Sequence, residues 1–224
     1  MKIIKPEVKD IVFHVPGEYT IEQWLEKAGR TCYKSEEKIT EDSASKFVSM
    51  LYKRGHHAML EHAVVSCVIA ADRGLTHELV RHRLASFAQE STRYCNYSKG
   101  KFNGEIQVIE YPWKNEKSVE IHEAAAKAAE TFYNMLLNMG EPPQNARAVL
   151  PISLKSEIVI TANLREWIHI FEMRADTPAH PIIRGVAKEI LKEFYKQVPS
   201  IYEEKYDKFI GNDKDTKEKD PNKG

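Results

Sequence analysis

The sequence has no surplus of charge: Lys and Arg number 33, and Asp and Glu also number 33. A general nucleic-acid binder needs an overall or patchy basic excess, so that class is not expected, and any anion must be held locally. Cysteine is scarce. Cys32, Cys67 and Cys95 are odd in number and never spaced as C-x-x-C, which leaves no disulfide framework. Long apolar runs are missing too. The longest, AVVSCVIAA at 63–71, falls far short of the roughly 20 residues that span a bilayer. The opening MKIIKPEVKD has no apolar core of a signal peptide. No membrane partner is expected, and a reducing, cytoplasmic setting is. None of the ten glycines falls in G-x-G-x-x-G or a P-loop. A Rossmann or Walker phosphate cradle is thereby excluded, and a bound nucleotide would depend more on side chains.

What is present is a mixture of helical and extended periods. VKDIVFHV (8–15) reads as a strand. Thr20 with Gln23 forms a capping-box pattern at the head of an amphipathic helix. Thr40 to about Arg54 reads as a second helix ended by Gly55. Residues 63–71, rich in Val and Ile, suggest a buried strand. Gly74 is expected to break it, with LTHELVRHRLASF resuming a helical period. EIQVIEYP (105–112) reads as a strand ended by Pro112. Residues 115–139 form the clearest helix, and Pro142-Pro143 restarts a short one through Arg147. A strand at 156–162 precedes a helix at 163–174, with Trp167, Ile168, Ile170 and Phe171 inward. Residues 179–209 are helical with a kink near Pro199. The expectation is one mixed α+β domain over 1–210, its central sheet antiparallel or mixed and packed with long helices. The charged stretch 211–224, ending NDKDTKEKDPNKG, is expected to be a disordered tail.

Two stretches concentrate chemistry. HHAMLEH (56–62) lacks the H-E-x-x-H order and any H-x-x-x-H pair, so no metal is expected there. It reads as solvated histidines, or as a polar wall whose imidazoles and carboxylate bond the edges of a flat heterocycle. RHRLASFAQESTRY (81–94) is the second. On a helix Arg81, His82 and Arg83 point about 100° apart, so at least one faces inward. Ser91 and Arg93, two apart in an extended segment, share one side, and a guanidinium with a hydroxyl suits a phosphate. LASF between the two halves is expected to anchor both to one core. Arg147 in NARAVLP and Arg174 in FEMRAD stand in apolar surroundings. A carboxylate partner for Arg147 and a helix C-terminus for Arg174 are the ordinary explanations.

Taken together, these residues resemble the flavin-dependent thymidylate synthase family. R-H-R, seven residues, then S appears as Arg81-His82-Arg83 and Ser91. G-H-x-x-x-x-E-H appears from Gly55 to His62, S-x-R-Y from Ser91 to Tyr94, and A-R-x-V-L-P at 146–151. N-x-R follows at 163–165 and R-A-D at 174–176, in the family's order over roughly residues 25–190.

The resemblance implies a family-specific α+β fold. It implies synthesis of thymidylate from deoxyuridylate (dUMP). FAD is the cofactor, 5,10-methylenetetrahydrofolate the carbon donor and NADPH the reductant. It also implies a homotetramer whose active sites are shared between subunits. Carried over by position, Arg81, His82 and Arg83 contact FAD, and Arg81 also reaches the nucleotide. His56, Ala58, Asn163, Arg165 and His169 line the flavin, with Gln89 reaching both ligands. Gln89, Ser91, Thr92 and Arg93 hold deoxyuridylate and its phosphate, joined by Glu78 and Arg147. Arg174 contacts the uracil and stabilises negative charge on it. The chain departs from the commonest pattern at Glu78 (often Gln), Gln89 (often Glu), Ala58 (often Thr), His169 (often Asn) and Pro178–Pro181. Glu78 is expected to turn from the phosphate or pair with Arg81. Nothing marks Cys95 as activated, so activation of the uracil is expected to be electrostatic, with no cysteine nucleophile. The competing reading is a non-enzymatic module using 73–93 as a basic nucleic-acid-binding helix; zero net charge and the scattered motif blocks argue against it.

Overall fold

The computed structural model describes residues 1–102 and 104–211, apart from the Lys101 side chain. The stretch expected to be a tail lies, from residue 212, outside the described residues.

Six strands and eight α-helices are described. A four-stranded sheet has the order β2 (Glu7–His14), β3 (Val64–Asp72), β6 (Lys155–Asn163), β4 (Ser86–Gln89). A second, two-stranded sheet pairs β1 (Lys2–Ile4) with β5 (Gln107–Ile109) in parallel, Ile3 opposite Val108. Burial alternates along β6: Ser156, Ile158, Ile160 and Ala162 face inward, while Glu157, Val159 and Thr161 are only half-buried. That is the period-2 signature of a strand with one covered face. The α+β class expected from the sequence is the class observed.

The chain packs as two compact units. The first comprises Met1–Lys9, Val68–Arg83 and Phe87–Ile160. It holds α3 (Arg73–Leu79), α4 (Glu116–Asn138) and α5 (Pro143–Ala146). Its core gathers Tyr97, Ile106, Val108, Tyr133 and Leu154. Asn115 caps α4 by accepting from Ser118 N at 2.9 Å. The buried Tyr133 hydroxyl accepts from Tyr97 N at 3.3 Å, so the core aromatic also satisfies a loop amide.

The second unit comprises Asp10–Cys67, Leu84–Ser86 and the described residues from Thr161 onward. It holds α1 (Ile21–Tyr33), α2 (Ala44–Lys53), α6 (Leu164–Arg174), α7 (Pro181–Gln197) and α8 (Pro199–Tyr206). The capping box at Thr20 forms as expected, with Thr20 Oγ1 accepting from Gln23 N and Gln23 Oε1 from Thr20 N. Gly29 lets α1 close on α2: a Cβ there would stand 2.7 Å from Leu51 and 2.8 Å from Phe47. Trp167, Phe171, Phe194 and Tyr202 form an aromatic core with ring centroids 5.1–5.8 Å apart. Trp167 Nε1 donates to Val65 O and Tyr202 Oη to Leu164 O, so both polar tips are satisfied.

Four expectations are corrected. The strand gives way to a helix as expected, but at Asp72 and not at Gly74, which lies in the first turn of α3, capped by Asp72 through Leu75 N at 2.8 Å. The helical period does not run on to Phe87. Helix α3 ends at Leu79, residues 80–84 turn, and 86–89 form β4, because β4 finds a place beside β6. Ser91–Arg93 is a turn and not an extended segment, with Cys95 N bonding Ser91 O at 2.9 Å. The expected strand 105–112 is cut to β5, whose partner β1 carries too few residues to show a period.

Candidate functional site

In the first unit the site is built around the end of β4 and the turn that follows. Asp72, 1 % exposed, fixes the start of α3. It also accepts from Tyr111, and burial with that bond pushes the Tyr111 phenol up to about 12, the nearby Glu78 adding to it. A Cβ on Gly74 would meet Asp72 Oδ1 at 2.7 Å, so glycine is what lets this cap close. At the far end of α3 His82 is buried while Arg81 and Arg83 are exposed. One of the three does face inward, as expected. Among the described residues neither arginine makes an ion pair, so Arg81 does not neutralise Glu78. Leu84 is 78 % exposed, so the expected anchoring role of LASF falls to the half-buried Phe87.

Gln89 is held by two hydroxyls. Its Nε2 donates to Thr76 Oγ1 at 2.9 Å and to Ser156 Oγ at 3.1 Å, which leaves Oε1 as an acceptor. Beyond it the turn gathers three of the expected phosphate ligands. Ser91 Oγ accepts from Arg93 N at 3.3 Å. Arg93 Nε donates to Gln144 Oε1 at 3.2 Å, and its guanidinium lies 5.5 Å from the Tyr94 ring centroid. Thr92, 7 % exposed, accepts from Arg147 Nη1 at 3.2 Å. Helix α5, opened by Pro143 and seated by the fully buried Ala146, delivers Arg147 to this point. Among the described residues Arg147 has no carboxylate partner. Arg93 on the turn and Arg147 beside it are thus two guanidiniums bonded to neutral oxygens, an arrangement that suits an anion.

One network was missed by sequence reasoning. Glu90 accepts from Tyr97 Oη at 3.0 Å and Lys155 Nζ at 2.9 Å, and Lys155 also pairs with Glu157, itself 2.6 Å from Lys9. The Lys9 and Lys155 bonds bring the Glu157 carboxyl down to about 2. Burial, reinforced by Glu90, holds the Tyr97 phenol far above its ordinary range. Glu90, Tyr97, Lys155 and Glu157 border a cavity of about 620 Å³ that Gln89 also lines. Glu90 is adjacent to the recognised stretch, but its partners lie 7, 65 and 67 residues away, and no spacing rule connects them.

In the second unit a cavity of about 730 Å³ brings together Asn163, Arg165 and His169 with Tyr52, His57 and Lys205. Asn163 caps α6 by accepting from Glu166 N at 2.9 Å. Arg165 and His169 are exposed one helical turn apart, which puts them on one side. Arg165 pairs with Glu61 at 2.6 Å, though both are about half-exposed and solvent screens the pair. His57 stacks on Tyr52 at 5.1 Å and 21°. His56, which is not among the residues lining the cavity, bonds the Tyr33 hydroxyl through Nδ1 at 2.9 Å. Ala58 is exposed on the same turn, also outside the lining. Arg174 is half-buried in the last turn of α6, where a cation favours the helix dipole. Of the cysteines, Cys67 is buried, with its thiol pushed up to about 12; Cys95 is half-buried in the turn after Arg93.

These two sets of side chains lie on an α+β fold without a glycine-rich cradle, so a nucleotide bound to such a fold would depend on side chains. The sequence model of the thymidylate synthase complementing protein family matches residues 18–200. Flavin-dependent thymidylate synthases are similar along most of the chain. That of Geobacter sulfurreducens is 33 % identical over 186 residues, covering 78 % of each chain. That of Corynebacterium efficiens is 36 % identical over 202 residues, covering 81 % of this chain and 78 % of its own. That of Pyrococcus abyssi is 39 % identical over 165 residues, covering 72 % and 66 %. The crystal structure of a UMP/dUMP methylase, PolB from Streptomyces cacaoi bound with 5-Br dUMP, shares the fold. Its TM-score is 0.73 at 23 % identity, over 93 % of this chain and 98 % of that one. The chain belongs to the flavin-dependent thymidylate synthase family, and is a methyltransferase of that kind.

Proposed function

We propose that the protein methylates deoxyuridylate to thymidylate, taking the carbon from 5,10-methylenetetrahydrofolate and the reducing equivalents from NADPH by way of FAD. Its working form is a homotetramer in which subunits share active sites, and no enzyme cysteine bonds the nucleotide. The observation that carries the reading is the turn at 91–93, where Arg93 and the distant Arg147 converge beside Ser91 and Thr92 without a carboxylate. Ser91, Arg93 and Arg147 hold the phosphate, with Thr92 keeping the Arg147 guanidinium in place. Guanidinium bonds to phosphate are charge-assisted and bidentate, so this site sets both affinity and register.

The residues present fit a flavin. The cavity along α6 lies within the usual size of cofactor sites; its imidazole and amide groups suit the edges of a flat heterocycle, and its guanidinium and ammonium, held by Glu61 and Glu172, are the groups that would turn to a pyrophosphate. Asn163, Arg165 and His169 would hold the cofactor there, with His56 and Ala58 on the neighbouring turn; Arg81, His82 and Arg83 are the further flavin contacts that the family resemblance implies. When bound, FAD supplies the hydride that NADPH provides. Gln89, tied at its amide nitrogen, offers Oε1 to a ring N–H of the uracil. Glu78 lies close enough to the Tyr111 phenol for its charge to act there. Arg174 stabilises the negative charge that builds on the uracil as C5 becomes nucleophilic. Cys95 is left as a packing residue.

The purified protein should be yellow. It should oxidise NADPH faster when deoxyuridylate is present, and should yield thymidylate by product analysis with the folate supplied. A colourless protein that added FAD cannot activate would sink the flavin reading. Flavin with no nucleotide-dependent turnover would sink the substrate.

A further inference from the structure

Helix α4 carries two apolar faces, and its own unit uses one. His122, Ala126, Tyr133 and Leu137 face inward, buried or half-buried, with His122 bonded to Ser153. A second row consists of Ile121, Ala125, Ala128, Phe132, Met135 and Met139, the last at the helix C-cap. All six are exposed, Ile121 by 62 %, Phe132 by 54 %, Met135 by 52 % and Met139 by 80 %. Their spacing, 4-3-4-3-4, is the seam of a coiled coil. The charges Glu116, Glu120, Glu123 and Lys127 lie on a third face, and on the seam's other flank, Lys117, Ala124, Thr131 and Asn138, only the first is charged. A helix meant to face water presents its polar side there; a contiguous apolar row marks an interaction surface.

We propose that a second copy of the chain lays its α4 antiparallel on this seam, about a two-fold axis crossing near position 130. The row itself specifies this occupant. Residues 121 and 139, 125 and 135, and 128 and 132 form three pairs, each centred on 130. An antiparallel copy therefore sets Ala125 against Met135 and Ala128 against Phe132, small into large on both sides of the axis, with Ile121 against Met139. That is the interdigitation a packed core requires. A parallel, in-register copy would set Ala on Ala and Phe on Phe, leaving gaps at one end and crowding at the other. The charges agree: Lys117 of one copy falls within a turn of Glu141 of the second, and both are exposed. The opposed helix dipoles attract. The contact runs about 27 Å along the helix and is isologous, so it closes on itself. It goes beyond the proposed tetramer by naming a surface, and it holds whatever the enzyme's substrate.

Two cysteines test it, in the full chain with the exposed Cys32 replaced by Ser. In Ala125→Cys/Met135→Cys the two thiols of one chain sit about 15 Å apart along the helix, beyond disulfide reach. Oxidation should then give a covalent dimer on a non-reducing gel, while Ala125→Cys alone stays monomeric. No dimer from the double variant overturns the pairing; a dimer from the single one overturns its antiparallel sense. Separately, Phe132→Glu/Met135→Glu should lower the native mass by light scattering twofold with an unchanged circular dichroism spectrum. A folded variant of unchanged mass refutes the proposal.

Discussion

Arg147 Nη1 donates to Thr92 Oγ1 at 3.2 Å across 55 residues of sequence. The bond links the two motif blocks that the phosphate reading needs in one place. Thr92 is buried, whereas Arg147, whose guanidinium it orients, is exposed. Thr92→Val keeps the shape and removes the acceptor. The expected result is a KM for deoxyuridylate raised roughly tenfold, the loss of about one charged hydrogen bond's worth of positioning, with kcat changed little. Thr92→Ser should restore most of it. A Val variant with an unchanged KM would show that Arg147 needs no such support.

The charged network on β6 sets a pH dependence of stability. The Glu157 carboxyl titrates at about 2 in the folded protein, against 4.5 for the free group, because Lys9 and Lys155 bond its charged form. A depressed carboxylate stabilises the fold above its unfolded pKa, and that contribution is lost as pH falls from about 4.5 through about 2. Glu157 is 39 % exposed, so screening keeps the effect modest. Glu157→Gln should therefore melt below the parent at pH 7, and the gap should close as the pH falls toward 2. Thermal melts by circular dichroism measure it. A gap constant from pH 7 to 2.5 would place its origin elsewhere than in this charge.

Gly29 sets how closely α1 and α2 approach. A Cβ there meets Leu51 at 2.7 Å and Phe47 at 2.8 Å, both of them packed against α1. Gly29→Ala gains up to about 1 kcal/mol of helix propensity and costs about 1–3 kcal/mol in overpacking. Net destabilisation in urea is the expected outcome. Phe47→Leu, which removes the nearer ring atoms, should recover part of it in the double variant. Additive losses would mean the two sites do not touch.

What was legible in the sequence follows the same division between local and distant causes. The capping box at Thr20, the α4 period and the inward set Trp167, Ile168, Ile170 and Phe171 were readable because their cause lies within a few residues. β4 was not. Its residues continue a helical period, and β6, some 70 positions later, decides the matter by offering a neighbour strand. The turn at 91–93 was misread as extended for a similar reason, since the bond from Cys95 N to Ser91 O leaves no mark in composition. The site motifs were readable as residue types in order. Their convergence was not, because only folding carries Arg147 to Thr92. The Glu90–Lys155–Glu157–Lys9 chain carried no motif at all.

Cys95 and Arg174 separate the two ways of making a uracil carbon nucleophilic. Covalent activation requires a thiolate, and a lowered pKa to supply it. Cys95 is half-buried beside the turn at 91–93, and Cys67 is buried with its thiol raised to about 12. Electrostatic activation instead requires a fixed cation where charge develops, the role assigned to Arg174. Cys95→Ala should bind FAD and deoxyuridylate and turn over within a few-fold of the parent. Arg174→Ala should keep its flavin and lose deoxyuridylate-dependent turnover by about a hundredfold or more, the usual cost of removing one such group. Arg174→Lys restores the charge without the fork and should recover little, since a point charge cannot span two acceptors. The decisive comparison is the nucleotide-dependent rate of flavin oxidation in the two alanine variants. Loss in Cys95→Ala with both ligands still bound would establish a covalent route and remove Arg174 from the central role.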